Sequence, residues 1–310
     1  MAETVTDNGV KGTPVISICI PAWKDTATPL LSSLASLACH QQCEVLVYDD
    51  GSSDSEITAQ IVQNLSLINA PGRLITASTN YGRSHARNRL ITHAKADWLL
   101  MLDADMLPDE HHFLQRYLDA IADVPTPALI VGGFSLQQVT ATPEQRLHAA
   151  QSQRSECLPA ANRARDPGLY VFTSNILVHR TILDSIHFDE GYTGWGWEDV
   201  DWGLRVMDAF PINHIDNTAT HLGLDDTMNL LAKYANSKDN FARLVQQHPQ
   251  KASNMRLYQV SKRLSAIPAR KLLGKVTKGL AEDPLGLVPI SVRLFALKLF
   301  RASIYAETLI

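Results

Sequence analysis

Short apolar runs alternate with amphipathic stretches between residues 14 and 103. The runs PVISICIPAW, CEVLVYDDGSSD, RLITAS and DWLLML are rich in β-branched or other apolar residues and end in polar or turn residues, which predicts strands. Between them, TPLLSSLASLACHQQ, SEITAQIVQNLSLI and NYGRSHARNRLITHAKA repeat apolar or small residues at helical spacing. Strands that alternate with helices indicate βαβ units, and therefore an α/β fold with a largely parallel sheet.

Polar residues follow three of these predicted strands. They are PAWKD at residues 21–25, DDGSSD at residues 49–54 and DAD at residues 103–105. In open sheets of this kind, ligands bind at the carboxyl ends of the strands. Asp is also common in turns because of its local hydrogen bonds, so DDGSSD alone is equally consistent with a structural turn.

The DAD sequence follows the apolar run WLLML and places Asp103 and Asp105 two residues apart. Such residues point to one side of a strand, where two ionised carboxylates repel each other unless a cation or hydrogen-bond donors neutralise them. Carboxylate oxygens suit Mg²⁺ or Mn²⁺, which commonly bind through one or two carboxylates and substrate phosphates. A simple strand-to-turn ending is the alternative.

A second concentration of unusual residues is FDEGYTGWGWEDVDWGLRV, at residues 188–206. Glu198 and Asp199 fall in the first turn of a predicted helix, where the helix dipole stabilises acidic residues. Capping alone does not call for Trp195, Trp197 and the neighbouring glycines. Aromatic faces beside carboxylates are typical of a sugar-binding pocket, which is the interpretation we favour.

Composition and charge exclude several classes of protein. The 310 residues, 45% hydrophobic and 19% charged, suffice for one large core or two abutting ones. A net charge of −4 gives no general attraction to nucleic acid, so no nucleic-acid partner is expected. The four cysteines lack the paired spacing of zinc or disulfide sites, so we expect reduced thiols.

The two ends of the chain differ in character. Residues 1–14 are polar, which predicts a flexible N-terminus without the features of a signal peptide, and no apolar run approaches the roughly 18 residues that cross a bilayer. We therefore expect a cytoplasmic protein. Residues 251–310 contain 11 basic and three acidic residues and mix them with apolar residues at helical intervals. This pattern suits an amphipathic helix on an anionic membrane surface, on the inner face of the membrane, or else a helical lid or oligomer contact.

The motifs IPAW, YDDGSSD, NYGRSHARN, LMLDADM and FDEGYTGWGWEDVDWGLR occur in this order. Together they resemble the family 2 glycosyltransferases of GT-A fold, over roughly residues 15–225. The last motif is similar to the W-G-x-E-D motif of galactosyl- and N-acetylgalactosaminyltransferases. The resemblance implies a Rossmann-like, mostly parallel sheet flanked by helices, with a nucleotide-sugar-binding half at residues 15–120 and an acceptor-binding and catalytic half at residues 121–245. Beyond these halves, charge and helical spacing predict a basic helical tail at residues 246–310.

The resemblance also implies the roles of individual residues. Asp50 would accept the N3–H of the base, Arg83 and Arg87 would lie near the pyrophosphate, and Asp103 would face the ribose or a metal-bound water. The donor site as a whole would comprise Pro21, Ala22, Trp23, Asp25, Asp50, Arg83, Arg87 and Asp103.

The resemblance also implies which residues bind the metal and the acceptor. Asp105 would bind the metal directly, with His221 as a further ligand and His214 as its competitor. Asp199 matches the catalytic base of the family, and Glu198 would hydrogen-bond a sugar. The acceptor or sugar site would be lined by Trp195, Gly196 and Trp197.

The activity implied is metal-dependent, inverting transfer of a hexose or N-acetylhexosamine from a UDP-sugar, with Mn²⁺ or Mg²⁺, to a saccharide or lipid-linked saccharide. A non-catalytic nucleotide-sugar or glycan-binding module of the same fold is the alternative. The combination of Asp105, Glu198 and Asp199 argues against it. A haloacid-dehalogenase-like phosphatase is disfavoured because its DxD motif lies near the chain start and continues with Thr or Val, where this chain has Met106.

Overall fold

The computed structural model describes residues 3–309, which form two compact units. The first comprises the chain up to Val139 together with Glu156–Glu190 and Trp202–Gly223, and the second comprises Thr140–Ser155, Gly191–Asp201 and the chain from Leu224 onward. The sequence predicted three consecutive blocks after residue 14. The chain instead passes between the units several times, which hydrophobic periodicity does not reveal.

The first unit contains the strands and most of the shorter helices. Its strands are β1 (Glu3–Asp7), β2 (Ile16–Ala22), β3 (Cys43–Asp49), β4 (Gly72–Ala77), β5 (Trp98–Leu102), β6 (Met106–Pro108), β7 (Leu129–Val131), β8 (Phe134–Ser135), β9 (Asn175–His179), β10 (Ile212–His214) and β11 (Ala219–His221). Its helices are α1 (Thr28–Ser36), α2 (Ser55–Ser66), α3 (Arg83–His93), α4 (Phe113–Asp123), α6 (Ala160–Arg163) and α7 (Arg180–Ser185), and 3₁₀ turns lie at His40–Gln42 and Pro167–Tyr170.

The main sheet has the strand order β1-β4-β3-β2-β5-β9-β7-β10. Its central strands β4, β3, β2 and β5 run parallel, whereas β1 and β9 are antiparallel to their neighbours. This arrangement confirms the prediction of a mixed, mostly parallel sheet flanked by helices. A smaller sheet has the order β6-β11-β8.

The central strands are buried on both faces, as expected when helices cover a parallel sheet. Alternate residues point to opposite faces. Ile18, Val47 and Leu100 join one hydrophobic cluster, and their neighbours Cys19 and Leu46 join the other. All four cysteines are free in this structure.

The prediction of a flexible N-terminus is wrong for Glu3–Asp7, which pairs antiparallel with β4; residues 1 and 2 lie outside the described part. The Glu3 carboxylate accepts hydrogen bonds from Arg89 Nε and Nη2, both at 2.8 Å, and contacts His93 Nε2 at 3.1 Å. These partners come from α3, about 80 to 90 residues away in sequence. The local polar composition therefore gave no sign of the strand.

The second unit is helical. Its helices are α5 (Arg146–Ser155), α9 (Thr227–Asn236), α10 (Lys238–Gln247), α11 (Pro249–Asn254), α12 (Arg256–Ser265), α13 (Arg270–Glu282) and α14 (Ile290–Tyr305), and in α8 (Glu198–Met207) the chain passes from this unit to the first. Leu147, Leu230, Leu294 and Phe300 lie in its core. The predicted C-terminal helices are confirmed, and α14 buries one face that includes Leu294, Leu297 and Phe300. Between residues 3 and 309, none of the helices has both the length and the apolar character needed to cross a membrane.

Candidate functional site

Asp105 and His221 lie side by side at the end of the central strand β5. The chain turns through Asp103–Ala104–Asp105 and enters β6, whose Met106 is the antiparallel partner of His221 in β11. This register brings His221 Nε2 to 3.1 Å from Asp105 Oδ2. The side chains remain 24% and 34% exposed, so the pair is open to a ligand.

The two groups stabilise each other's charged forms. Burial raises the pKa of Asp105, but the hydrogen bond to His221 and the positive charges of His221 and Arg83 outweigh it, so the pKa lies below its ordinary value. Burial lowers the pKa of His221, but the hydrogen bond and charge of Asp105 outweigh it, so that pKa is raised. The pairing therefore favours the ionised carboxylate of Asp105.

Gly223 leaves space beside this pair. A Cβ atom built on Gly223 would collide with Asp105 Oδ2 and would lie 3.2 Å from His221 Nε2. The donors, a carboxylate oxygen and an imidazole nitrogen, fit a divalent transition ion such as Mn²⁺. No group of three or more His, Cys, Asp or Glu side chains arranged for a metal occurs within residues 3–309. Two protein ligands would leave coordination positions for phosphates and water, as is common for such ions.

Arg87 is buried and directed at the first acid of the DAD turn. Its Nη2 donates to Asp103 Oδ1 at 2.9 Å, and its side chain is 1% exposed. Arg83, one turn earlier in α3, is exposed, and its charge acts on Asp105. The structure thus brings Arg87 to Asp103 and the charge of Arg83 towards Asp105, although the sequence gave both arginines the same role.

The Asp50 carboxylate accepts hydrogen bonds from the backbone amides just before α3. Its Oδ2 accepts from Gly82 N at 2.7 Å and its Oδ1 from Tyr81 N at 3.0 Å. Burial raises the pKa of Asp50, although these two hydrogen bonds oppose the shift. The next residue, Gly51, has φ +75°, and a Cβ there would collide with the backbone of Thr79. The turn therefore requires glycine at this position.

The end of β2 lies next to this turn. The carbonyl of Ala22 accepts from Asp50 N at 2.9 Å, and Lys24 N donates to Ser52 Oγ at 2.6 Å. Trp23 exposes its ring to solvent. Asp25 Oδ1 accepts from Ala27 N at 2.8 Å, which gives this carboxylate a turn-forming contact. Pro21 lies in β2, in register with Tyr48 of β3.

In the second unit, the loop before α8 has an unusual backbone. Gly194, Gly196 and Trp197 have positive φ angles of 73°, 92° and 79°. Asn240 Nδ2 donates to the carbonyls of Thr193 at 2.9 Å and Gly196 at 3.0 Å. A positive φ at a residue as large as tryptophan is strained, and such strain persists where the surroundings enforce it.

The two tryptophans of this loop pack against neighbouring side chains. Trp197 Nε1 donates to Tyr305 OH at 3.1 Å, and the Arg301 guanidinium lies 4.9 Å from the Trp197 ring centroid. Trp195 packs on Tyr234, with ring centroids 5.7 Å apart. Both indoles are half-buried. Their contacts fix the loop that precedes the acidic turn, a role that the sequence did not reveal.

The acids that follow differ in accessibility. Glu198 is buried, and Asp201 is buried with its Oδ1 2.8 Å from His248 Nε2. Asp199 is only half-buried. Among the three, Asp199 therefore has the carboxylate most open to a substrate.

Sequence reasoning missed several residues that shape these sites. Asn240 and Arg301 could not be found because they lie outside every motif. Gly223 had a weak signal, a glycine two residues after His221.

His214 was the alternative to His221 as a predicted metal ligand. Its Nδ1 accepts a hydrogen bond from Arg163 Nη1 at 2.9 Å. Burial and the charge of Arg163 lower the pKa of His214 to about 4.

Comparisons with known proteins identify a curated relative of this chain. A validoxylamine A glucosyltransferase of Streptomyces hygroscopicus subsp. jinggangensis (strain 5008) is 27% identical over 221 residues, which cover 62% of this chain and 51% of the relative. The chain thus spans about half the length of this curated relative.

Two solved structures share the fold. A mannosyltransferase of Pyrobaculum calidifontis, in complex with GDP-Man and Mn²⁺, has a TM-score of 0.56 at 15% identity and covers 96% of this chain and 90% of its own. Glucosyl-3-phosphoglycerate synthase of Mycobacterium tuberculosis, in complex with Mn²⁺, UDP and glucosyl-3-phosphoglycerate, has a TM-score of 0.53 at 17% identity, with 75% and 79% covered. The fold is therefore the GT-A fold of these enzymes. Residues 17–186, more than half of the chain, match the family described as Glycosyl transferase family 2, and the chain belongs to that family.

Proposed function

We propose that the protein is a metal-dependent, inverting glycosyltransferase that moves a hexose or N-acetylhexosamine from a UDP-sugar to a saccharide or lipid-linked saccharide. The observation that carries the proposal is the Asp105–His221 pair, partly exposed beside Gly223 at the end of the central strand. The glucosyltransferase relative and the neighbour that holds UDP and Mn²⁺ support it.

The donor would bind along the strand ends of the first unit. Trp23 offers an exposed ring to the base, and Asp50, which already accepts from two backbone amides, has lone pairs left for the base N3–H. Pro21, Ala22 and Asp25 shape this end of the site. Asp103 would face the ribose or a metal-bound water, held in place by Arg87.

The diphosphate would lie between Arg83 and the metal pair. Arg83 is exposed and its positive charge acts on Asp105, and a planar guanidinium suits the geometry of phosphate oxygens. Asp105 and His221 would hold Mn²⁺ or Mg²⁺, which when bound stabilises negative charge on the departing diphosphate. Arg87 would act on the donor only through Asp103.

In the second unit, Asp199 would take the proton of the acceptor hydroxyl. The acceptor oxygen forms its bond to the anomeric carbon as the bond to the diphosphate oxygen breaks, and a single displacement of this kind inverts the anomeric centre. A positioned base contributes about 10²- to 10⁴-fold to such a reaction. Glu198 would hydrogen-bond a sugar, and Trp195, Gly196 and Trp197, which form the W-G-x-E-D-like motif with the two acids, would line the acceptor or sugar site.

In this proposal the enzyme is cytoplasmic, and the C-terminal segment 246–310 provides peripheral contact with an anionic membrane. The test is a panel of nucleotide sugars with Mn²⁺ or Mg²⁺, read out as release of nucleoside diphosphate. Metal-dependent release with one donor supports the enzyme. Tight donor binding without release or transfer, across a panel of saccharide acceptors, would instead indicate a non-catalytic nucleotide-sugar or glycan-binding module of the same fold.

A further inference from the structure

Helix α13 presents an apolar stripe to solvent. Leu272, Val276 and Leu280 are spaced four residues apart, so they share one face, and they are 64%, 53% and 40% exposed. The opposite side of the helix is buried through Thr277 and Ala281. A helix packed on one side usually turns polar residues outward, and α13 turns leucine and valine outward instead.

The loop after α13 continues this character. Leu285 and Leu287 are each 78% exposed, among the highest values for large apolar side chains in residues 3–309. The C-terminal cap of α13 is Asp283, whose Oδ1 accepts from Leu287 N at 2.9 Å. The leucines are therefore held on an ordered turn and not on a loose end.

A basic surface adjoins the stripe. Lys271, Lys275 and Lys278 recur at spacings of four and three residues and share a second face of α13. With Arg270 they line a cavity of about 320 Å³ between α13 and α14. Glu307 also lines the cavity but pairs with Lys238 at 3.0 Å, and Lys278 pairs with Glu282 at 3.1 Å. The cavity retains an excess of positive charge.

We propose that this surface, defined by the α13 stripe, the loop leucines and the basic cavity, docks on an anionic lipid bilayer. The apolar side chains enter the interface, and the cations contact lipid phosphates. A neutral bilayer would bury the apolar stripe but offer no net negative charge to the basic side chains. A soluble anion would pair with the basic side chains but leave the stripe in water. An anionic lipid surface does both.

The docking surface is narrower than the whole basic tail. Leu294, Leu297 and Phe300 of α14 are buried in the core of the second unit, so that face of the helix cannot contact a membrane. The proposal rests on the membrane contact included in the proposed function and specifies its residues. They are distinct from those assigned to donor, metal and acceptor, so vesicle binding can fail while glycosyl transfer stands, and the reverse.

The test is sedimentation of the full chain with vesicles of phosphatidylcholine alone or with about one third phosphatidylglycerol. We expect binding to the anionic vesicles, weakened by high salt. The double variant K271Q/K275Q and the triple variant L272Q/V276Q/L280Q should each lose binding by about 10-fold or more. Glutamine preserves helix propensity at these positions.

Control variants remove two lysines or one exposed leucine elsewhere. K11Q/K95Q removes two exposed lysines, and L67Q removes a leucine that is 67% exposed. Both should bind vesicles like the wild type. Circular dichroism checks that every variant folds. Nucleoside diphosphate release without vesicles measures the enzyme activity of each variant separately from its vesicle binding.

Three outcomes would overturn the proposal. The first is failure of the wild type to sediment with anionic vesicles, and the second is binding of the α13 variants that equals that of the controls. The third is a dimer, seen by sedimentation velocity without lipid, that L272Q/V276Q/L280Q converts to a monomer. That result would assign the stripe to a second copy of the chain.

Discussion

Asp105 Oδ2 and His221 Nε2 are 3.1 Å apart although 116 positions separate them in sequence. The antiparallel pairing of Met106 with His221 sets this distance. Because two short strands fix the pair, its geometry does not depend on a flexible loop.

Replacing Asp105 tests the proposed metal site. Asp105→Asn keeps the size of the side chain but removes the charge that balances a cation, so Mn²⁺ affinity in the presence of UDP should fall by at least about 10-fold. Titration calorimetry measures this. Asp184→Asn, at an exposed position of α7, is the control and should bind like the wild type. Wild-type affinity in Asp105→Asn would reject the ligand role.

Gly223→Ala tests whether the space beside the pair is needed. The added methyl group would displace the Asp105 carboxylate, and we expect Mn²⁺ binding to weaken by about 10- to 100-fold while the fold remains intact. In Gly279→Ala, the Cβ meets no atom within 4 Å, so this helix control should be as stable as the wild type or more stable, with unchanged metal binding. Equal metal binding in both variants would contradict the proposal.

Glu3→Gln tests the N-terminal strand. The hydrogen bonds from Arg89 lower the pKa of Glu3 most strongly, and those from His93 and Tyr48 add to the shift. Together they outweigh burial, which raises the pKa, so the value falls from 4.5 to about 2. A lowered folded-state pKa means that the stabilisation is complete above the unfolded value of 4.5 and is lost as the pH falls towards 2.

We therefore expect Glu3→Gln to reduce the free energy of unfolding at pH 7 by about 1–3 kcal/mol. The difference from the wild type should shrink below pH 4.5, as measured by urea unfolding at several pH values. Glu110→Gln, at an exposed position, should change little. A difference that does not vary with pH would show that the carboxylate charge is not responsible.

Asn240→Ala tests the support of the acidic turn. The variant loses the donors to Thr193 and Gly196, at a cost of about 1–3 kcal/mol, and frees the strained loop before Asp199. Transfer should slow, while the dissociation constant of UDP stays unchanged because the donor residues lie in the first unit. Asn236→Ala, at the exposed end of α9, is the control. Full turnover in Asn240→Ala would show that the loop needs no such support.

Much of the first unit follows from local patterns. The predicted strands and helices up to Leu102 are present because alternating or continuous apolar runs directly encode burial. The pairing of Asp105 with His221 was anticipated only through family resemblance. The Arg87–Asp103 contact, the strand at Glu3–Asp7 and the Asn240 brace depend on long-range packing, which no local pattern specifies.

For the basic tail, the sequence predicted the helices but not the surroundings of their apolar residues. Its helices were predictable from spacing, but the same apolar residues could face a core or a membrane. Packing decides between these, since Leu294, Leu297 and Phe300 of α14 are buried in the core, whereas Leu272, Val276 and Leu280 of α13 stay exposed.

Pulsed electron paramagnetic resonance of Mn²⁺ bound in the presence of UDP tests the metal site most directly, because it detects nitrogen ligands of the ion. The account predicts coupling to one imidazole nitrogen in the wild type and its loss in His221→Gln, with the coupling retained in the control His187→Gln, which changes an exposed histidine. Bound Mn²⁺ without nitrogen coupling, or with unchanged coupling in His221→Gln, would contradict it.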